Sequence, residues 1–555
     1  MSLAKAITTL SSLLDGPGLI TRLGVAVLVG SLSSCLVVGV YRLYFHPLSK
    51  FPGDKLAAAT GWVETYHDVF RGGQFIFKLG EWHEKYGPIV RISPWEVHIA
   101  DPDFVDVLYS SNSRFDKKIE WKYRFGIPHS TFDTIEHQHH RLRRSALAPF
   151  FSKQKIGLVT EFISSKVQRL CDRLEEKYKA SGQPVLIHEC FTALSFDVIT
   201  YYSFARSFEY IELPDFQGPF TSAFKQLAST LHTMGHFPWL LTALQSLPKS
   251  ISIALNPQLA HVFEFHATIE DQINAIKRGD NDAYKDVAHK TVFNELLNSD
   301  LPPEEKDTER VKQEGTFAQP SFNRPRYLSI RLPNRLSKLT HARTTHAAAS
   351  IVGGGVETTA TALAQATYYI LENPRVKDKL VDELKSVFPD ARETPTLATL
   401  ETLPYFSCVV TEALRITTGI ASRMMRKSRD GPVAYGDYLI PDGYYFSMTT
   451  YHTHRDTAVW EAPDEFRPER WQGSSSPVAL NGEPLAKYHV GFGRGPRMCL
   501  GLNLARAELF IGLAVLFRRC DLELFESTRE AVDMKAEYVI PVPSLKSKGV
   551  QVLVK

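Results

Sequence analysis

Residues 489–510 read "HVGFGRGPRMCLGLNLARAELF". One cysteine, Cys499, has Arg497 two positions before it and Gly501 two positions after. A turn carrying Gly491, Gly493 and Gly495 leads in, and a run of good helix formers leads out. A thiolate is a strong, soft metal ligand, but only where its charge is stabilised. The outgoing run places Cys499 just before a predicted helix N-terminus, whose dipole favours negative charge. The glycines permit a tight turn that aims backbone N–H groups at the sulfur, and Gly501 lets the backbone approach a flat ligand closely. Arg497 is placed to meet an acidic group at the rim of such a ligand. A free core cysteine requires none of this neighbourhood.

The rest of the chain sets the frame. Its 555 residues are 44% apolar, 11% aromatic and 23% charged, an ordinary globular balance. A net charge of +3 is too mild to argue for a nucleic-acid partner. The six cysteines are scattered without a C-x-x-C, which supports neither a disulfide framework nor a zinc ribbon and fits a reducing compartment. Near the N-terminus "LGVAVLVGSLSSCLVVGVY", Leu23 to Tyr41, is uncharged and bracketed by Arg22 and Arg42. That is about the length a helix needs to cross a bilayer. It is longer than a signal-peptide core and no small-residue cleavage site follows. Basic residues after it (Arg42, Lys50, Lys55) favour a cytosolic body.

After the prolines of "FHPLSKFPGDK" the folded body begins. "GPIVRISPWEVHIADP" predicts a hairpin or bent strand pair broken at Ser93-Pro94. From about residue 101 to 300 apolar residues recur at helical spacing. A second β patch, "VAYGDYLIPDGYYFSMTTY", carries the turn signal Asp442-Gly443, and the last fifteen residues look strand-like. The fold class is therefore mainly α with small β-sheets, preceded by an N-terminal transmembrane helix. Residues 1–45 form the membrane anchor and 46–555 the body.

"FGRGPRMCLG" resembles the haem-binding loop of the cytochrome P-450 superfamily at every fixed position. The resemblance implies the P-450 fold and a haem-thiolate monooxygenase, with haem b as cofactor, Cys499 as its metal ligand and Phe492, Arg497 and Gly501 around it. "TEALRI" sets Glu412 and Arg415 on one helix face, and "EFRPERW" offers Arg470. The family uses such a set as a buried brace for the haem loop, a structural role. "SIVGGGVETTATAL" puts three glycines inside a helical run, which costs roughly 1 kcal/mol each relative to alanine and calls for a local reason such as passage over a flat cofactor. Glu357 and Thr358 follow and match the family's oxygen-activating acid–alcohol pair, the catalytic residues. In "HQHHRLRRSALAPFFS" the family pattern Trp-x-x-x-Arg is replaced by His140-x-x-x-Arg144, expected to meet a haem propionate, as is Arg423 in "ASRMMRKS". Bidentate guanidinium geometry suits carboxylates. The three histidines of that run lack the complementary ligands a zinc site needs.

The texture is most similar to fungal microsomal members of secondary metabolism, of the trichodiene-oxygenase type. That implies the endoplasmic reticulum membrane, a single pass with a cytosolic catalytic domain, and an apolar small-molecule substrate of terpenoid or polyketide biosynthesis. It also implies dioxygen and electrons from an NADPH–cytochrome P-450 reductase, since no flavin or nicotinamide fingerprint is present. Arg141, Arg143 and Lys153 are candidate contacts for an acidic reductase face. Two alternatives stay open: a haem-thiolate isomerase or dehydratase without external electrons, against which the acid–alcohol pair counts, and a non-catalytic haem-binding protein. One stretch departs from the family. Thr316 to Ser350 holds no Asp or Glu, while six Arg/Lys and Pro320, Pro325 and Pro333 gather there. Residues 316–347 read as an atypical insert, a translated intron or a surface insertion.

Overall fold

The computed structural model describes residues 17–125, 129–280, 287, 289, 291–307, 311, 351–393, 395–473, 477–544 and 546–555. The atypical insert, 316–347, lies outside them. The principal helices are α1 (Pro17–Val40), α2 (Phe75–Tyr86), α3 (His137–Leu147), α4 (Thr160–Arg173), α5 (Ile187–Phe204), α6 (Pro219–Ala228), α7 (Leu231–His236), α8 (Leu259–Arg278), α9 (Ile351–Glu372), α10 (Pro374–Val387), α11 (Pro404–Ile416) and α12 (Leu502–Arg519). Leu23–Phe45 has a mean hydropathy of 2.3, and its most apolar stretch is not buried by the described residues, so length and composition suffice to cross a membrane. Its C-terminal end is tied to the body. Arg42 donates to the Ala59 carbonyl at 2.8 Å, and Arg91 donates to the Arg42 carbonyl at 2.7 Å.

One large core joins α4, α5, α9, α10, α11 and α12. Helix α4 buries Ile163, Val167, Leu170 and Cys171, the i, i+4, i+7, i+8 stripe of an amphipathic helix. Helix α12 is buried without interruption from Ala507 to Phe517, because this stretch is apolar on every side except at Glu508. The break between α9 and α10 is local in cause. Asn373 caps α10 by accepting from the Val376 N–H, and Pro374 occupies the first helical position, where its missing N–H costs nothing. Gly512 of α12 lets α9 approach: an added Cβ would stand 3.2 Å from Leu363. These two helices carry, respectively, the acid–alcohol pair and the end of the cysteine loop.

The strands are β1 (Ile89–Ser93), β2 (Glu96–Ile99), β3 (Asp116–Lys117), β4 (Val185–Leu186), β5 (Arg426–Lys427), β6 (Val433–Tyr435), β7 (Tyr438–Ile440), β8 (Tyr445–Ser447), β9 (Leu522–Leu524), β10 (Ala536–Tyr538), β11 (Ile540–Val542) and β12 (Gln551–Val554). The first two form the expected hairpin, with Pro94 and Trp95 at the turn and a bulge between Arg91 and Ser93. They open a five-stranded sheet of order β1-β2-β8-β5-β3, in which β2 and β8 run parallel. The second β patch turns twice, once at the expected Asp442-Gly443. The β6–β7 hairpin closes at Gly436-Asp437, and Asp442-Gly443 redirects the chain into β8, which leaves for the large sheet.

Candidate functional site

The cysteine loop runs from His489 to the start of α12. Its turn is closed by the Cys499 N–H donating to the Phe492 carbonyl at 2.8 Å. Gly493 and Gly495 have φ of 63° and 68°, the left-handed region that favours glycine. At Gly495 a Cβ would also lie 2.7 Å from the Tyr109 carbonyl, so this position tolerates nothing larger. Cys499 stands three residues before α12, as the sequence predicts. Burial pushes its thiol up, against which the Gly501 N–H and the Arg144 guanidinium favour the thiolate. The residue nevertheless has accessible surface, and a Cβ on Gly501 would meet nothing within 4 Å. Cys499 is therefore not packed over by the rest of the described fold.

Beneath the loop lies the buried brace. Glu412 and Arg415, both fully buried, pair at 2.8 and 2.9 Å. Glu412 also accepts from Arg470 Nε at 2.9 Å, Trp471 Nε1 at 2.9 Å and the Arg467 N–H at 3.0 Å. Arg415 spends its remaining donors on the carbonyls of His454, Pro463 and Glu465. His454, which the sequence did not flag, passes the brace to the loop. Its Nδ1 meets the Arg415 carbonyl at 2.8 Å and its Nε2 accepts from the Val490 N–H at 3.0 Å, one residue before the first loop glycine. That pattern requires the neutral ring, and burial does hold its pKa well below the ordinary value.

On another side of the loop, cations gather. Arg144 Nη1 donates to the Met498 carbonyl at 2.7 Å. Arg497 donates to the carbonyls of Thr134 and Ile135 at 2.8 and 2.6 Å, while its Nε is buried without a partner. His140 is buried with Nδ1 unpartnered. Two residues absent from the sequence expectation join them: Lys117 and Arg426 stand directly opposite each other across the β3–β5 ladder, both buried. Like charges opposed on a sheet repel, and burial adds to the cost. Burial first and mutual repulsion second bring Arg497 down to about 9 and hold Lys117 and His140 well below their ordinary values. Burial lowers Arg426 too. An unpartnered Nε, opposed cations and a cysteine that is not packed over fit a flat ligand carrying carboxylates at its edge.

Arg423 is placed differently from expectation. It is buried against Glu64, with Nε 3.7 Å from Glu96, and these carboxylates raise its pKa. Arg426, three residues on, occupies the cationic cluster instead. Arg143 also departs: it is buried and donates to both oxygens of Glu305 at 2.7 and 3.1 Å, which removes it from any docking face. Arg141 is exposed, and Lys153, largely exposed, pairs with Glu401.

Across from the loop, Gly353–Gly355 lie inside α9. Gly355 has a packing reason, since a Cβ there would come within 3.2 Å of Ile199 on α5; at Gly354 it would meet nothing within 4 Å among the described residues. Thr358 Oγ1 donates to the Gly354 carbonyl at 2.6 Å. Glu357 pairs with His188 Nε2 at 3.1 Å. Burial would raise its carboxyl, but His188 and then Lys225 hold it at about 2. Lys225 Nζ lies 3.2 Å from His188 Nδ1 and 2.8 Å from Glu189, and both Lys225 and Glu189 are partly exposed.

The cytochrome P450 family model matches residues 62–548. A cytochrome P450 monooxygenase of Eupenicillium brefeldianum, orf6, is 42% identical over 94% of this chain and 97% of its own. A second from that fungus, orf3, is 41% identical over 93% and 94%. The cytochrome P450 monooxygenase sdnE of Sordaria araneosa is 37% identical over 92% and 94%. The chain belongs to the cytochrome P450 family and is an enzyme of its monooxygenase class.

Proposed function

We propose that this is a membrane-anchored monooxygenase of fungal secondary metabolism, holding haem b through Cys499 and oxidising an apolar small molecule. The observation that carries this reading is the cysteine loop with its opposed, buried cations Lys117 and Arg426. Bound there, thiolate-ligated haem supplies oxygen activation with electron donation from sulfur. Cys499 gives the thiolate, favoured by the Gly501 N–H and Arg144. Arg497, Arg426 and Lys117 hold the carboxylate edge, with His140 and Arg144 beside them and Phe492 and Gly501 lining the loop. Glu412, Arg415, Arg470 and His454 keep the loop in register. Arg423 belongs to a separate ion-paired cluster.

Thr358 and Glu357 form the proton-handling pair. The hydroxyl of Thr358 is held by the Gly354 carbonyl, and Glu357, ionised, accepts a hydrogen bond from His188 Nε2. Lys225 and Glu189 lead from His188 toward solvent. Electrons come from a separate NADPH–cytochrome P450 reductase, with Arg141 and Lys153 among the contacts on the loop side. The body, residues 46–555, sits on the cytosolic face of the endoplasmic reticulum, anchored by residues 1–45, with 316–347 as an insert. Exposed Trp62, Phe70 and Trp239 extend the apolar surface of the anchor region, as a membrane-facing body would require. Reconstitution with reductase and NADPH tests the reading. Substrate-dependent NADPH consumption with a product one oxygen heavier is expected. Turnover without NADPH would favour the isomerase, and binding without turnover the non-catalytic protein.

A further inference from the structure

Away from the cysteine loop, three metal-ligating side chains converge. Asp68 lies in the wide helical turn Tyr66–Phe70, and His232 and His236 lie one turn apart on α7, hence on one face. His232 Nδ1 is 3.6 Å and His236 Nε2 3.5 Å from the same oxygen, Asp68 Oδ2. All three donor atoms lie within 4.8 Å of one another. Ligands at zinc's 2.0–2.1 Å distances in a tetrahedron stand roughly 3.3–3.5 Å apart. The two spacings to Asp68 Oδ2 already match, and the two imidazole nitrogens, within 4.8 Å of each other, would draw together.

The far side of each histidine is already fixed. His232 Nε2 is 2.5 Å from the Glu537 carbonyl, which only an N–H can satisfy, so Nδ1 keeps its lone pair toward Asp68. His236 Nδ1 meets Thr65 Oγ1 at 3.0 Å, which leaves Nε2 for the centre. Outer hydrogen bonds of this kind orient metal-binding imidazoles. His236 Nε2 and Asp68 Oδ1 are buried and without a hydrogen-bond partner. The charges around the centre are Asp68 and Glu64 (4.0 Å from His236 Nε2) against Arg423 and Arg124, with Glu537 behind His232, 3.7 Å from its outward Nε2. With neutral rings the two inner carboxylates balance the two guanidiniums, and Glu537 adds a negative charge in the surroundings. Arg124 Nη2 is 3.4 Å from His232 Nδ1, and a cation there would displace that long contact while Arg124 keeps its 3.2 Å bond to Ser422.

We propose that Asp68, His232 and His236 form a divalent-metal site, suited to zinc or a cation of similar borderline softness, that fastens α7 to the Tyr66–Phe70 segment. Imidazole with a single carboxylate favours such cations over magnesium or calcium. The same elements wall a cavity of about 380 Å³ lined by Trp62, Thr65, Trp121, Arg124, His236 and Phe237, so the metal would stiffen one side of it.

The test uses the tag-free, haem-loaded protein, stripped with a chelator and titrated with zinc against a chromogenic indicator. Wild type is expected to bind one zinc per chain at micromolar or lower concentration. The conservative variants Asp68→Asn and His236→Gln are each expected to weaken binding by roughly 100-fold. X-ray absorption at the zinc edge of the wild type should show two imidazoles, with first-shell distances of about 2.0–2.1 Å. Equal binding by wild type and variants overturns the proposal, as does no binding by wild type. Should the variants fail to accumulate, a zinc-edge spectrum without two imidazoles is by itself decisive against it.

Discussion

Glu412→Gln is the substitution with the most definite expected cost. Glu412 is fully buried and accepts five hydrogen bonds, two from Arg415 and one each from Arg470, Trp471 and the Arg467 N–H. Glutamine keeps the shape but removes the charge and points an N–H₂ at guanidiniums that are themselves donors. Arg415, with no accessible surface, is then left as an uncompensated buried cation. Breaking a buried pair in this way costs about 3–5 kcal/mol. At roughly 2.1 cal/mol/K per residue, a body of about 500 residues unfolds with an entropy near 1 kcal/mol/K. The apparent Tm should therefore fall by about 3–5 °C. Because Arg415 reaches the loop through His454 and Val490, haem content should fall with it. The pH dependence has a definite sign. Burial would raise the Glu412 carboxyl, but Arg415 and Arg470 hold it below its ordinary value. Its contribution is present above roughly pH 4.3 and is lost as pH falls through the folded value, so wild type and variant should converge in acid. Thermal melts by circular dichroism, with haem quantified per chain, make the measurement. A variant with wild-type Tm and full haem occupancy at neutral pH would refute the bracing role.

Thr358→Ala should leave haem bound but uncouple turnover, so that NADPH is consumed and peroxide released; unchanged coupling in a reductase-reconstituted assay removes Thr358 from the mechanism. Arg426→Met should weaken haem retention by roughly 10–100-fold, the scale of one charge-assisted hydrogen bond, while relieving its repulsion with Lys117 and so stabilising haem-free protein. Transfer of haem to a scavenger globin reads the first effect and melts of haem-free protein the second; a variant that loses stability in both states contradicts the assignment. Burial pushes Glu508 up to about 8, partly offset by Ser195, which donates to it at 2.7 Å. From its ordinary value to about 8 the folded chain keeps a proton that the unfolded chain releases, so stability falls as pH rises across that window. Glu508→Gln should thus gain stability over wild type at pH above about 8 and not near pH 5; equal gains at both would show that Glu508 does not titrate in that window.

The site divides into parts that local sequence reveals and parts that only topology assembles. The cysteine loop, Glu412 with Arg415, and the glycines of α9 each lie within one short run, so residue spacing alone exposes them. Lys117 and Arg426 are more than three hundred positions apart and meet only because β3 pairs with β5; nothing in either run signals the other. The same pairing places Arg426 in the cluster, while Arg423, which the sequence reading named, lies three positions away against Glu64. His454 lies in a short helical turn whose link to the loop is through backbone atoms, which leave no mark in side-chain patterns. The Asp442-Gly443 signal is a true turn, whereas the Gly436-Asp437 turn that closes the β6–β7 hairpin went unmarked. Gly355 fits helix packing against Ile199 as well as any cofactor, a distinction that requires the neighbouring helix.

The reduced carbon monoxide complex tests the central assignment most directly, because its red-shifted Soret band requires a thiolate on iron. Wild-type protein should show that band, and Cys499→Ser should lose it, since an alcohol cannot take the place of the thiolate. A Cys499→Ser protein that keeps the band would mean that Cys499 is not the ligand, and the reading built on the 489–510 loop would fall with it.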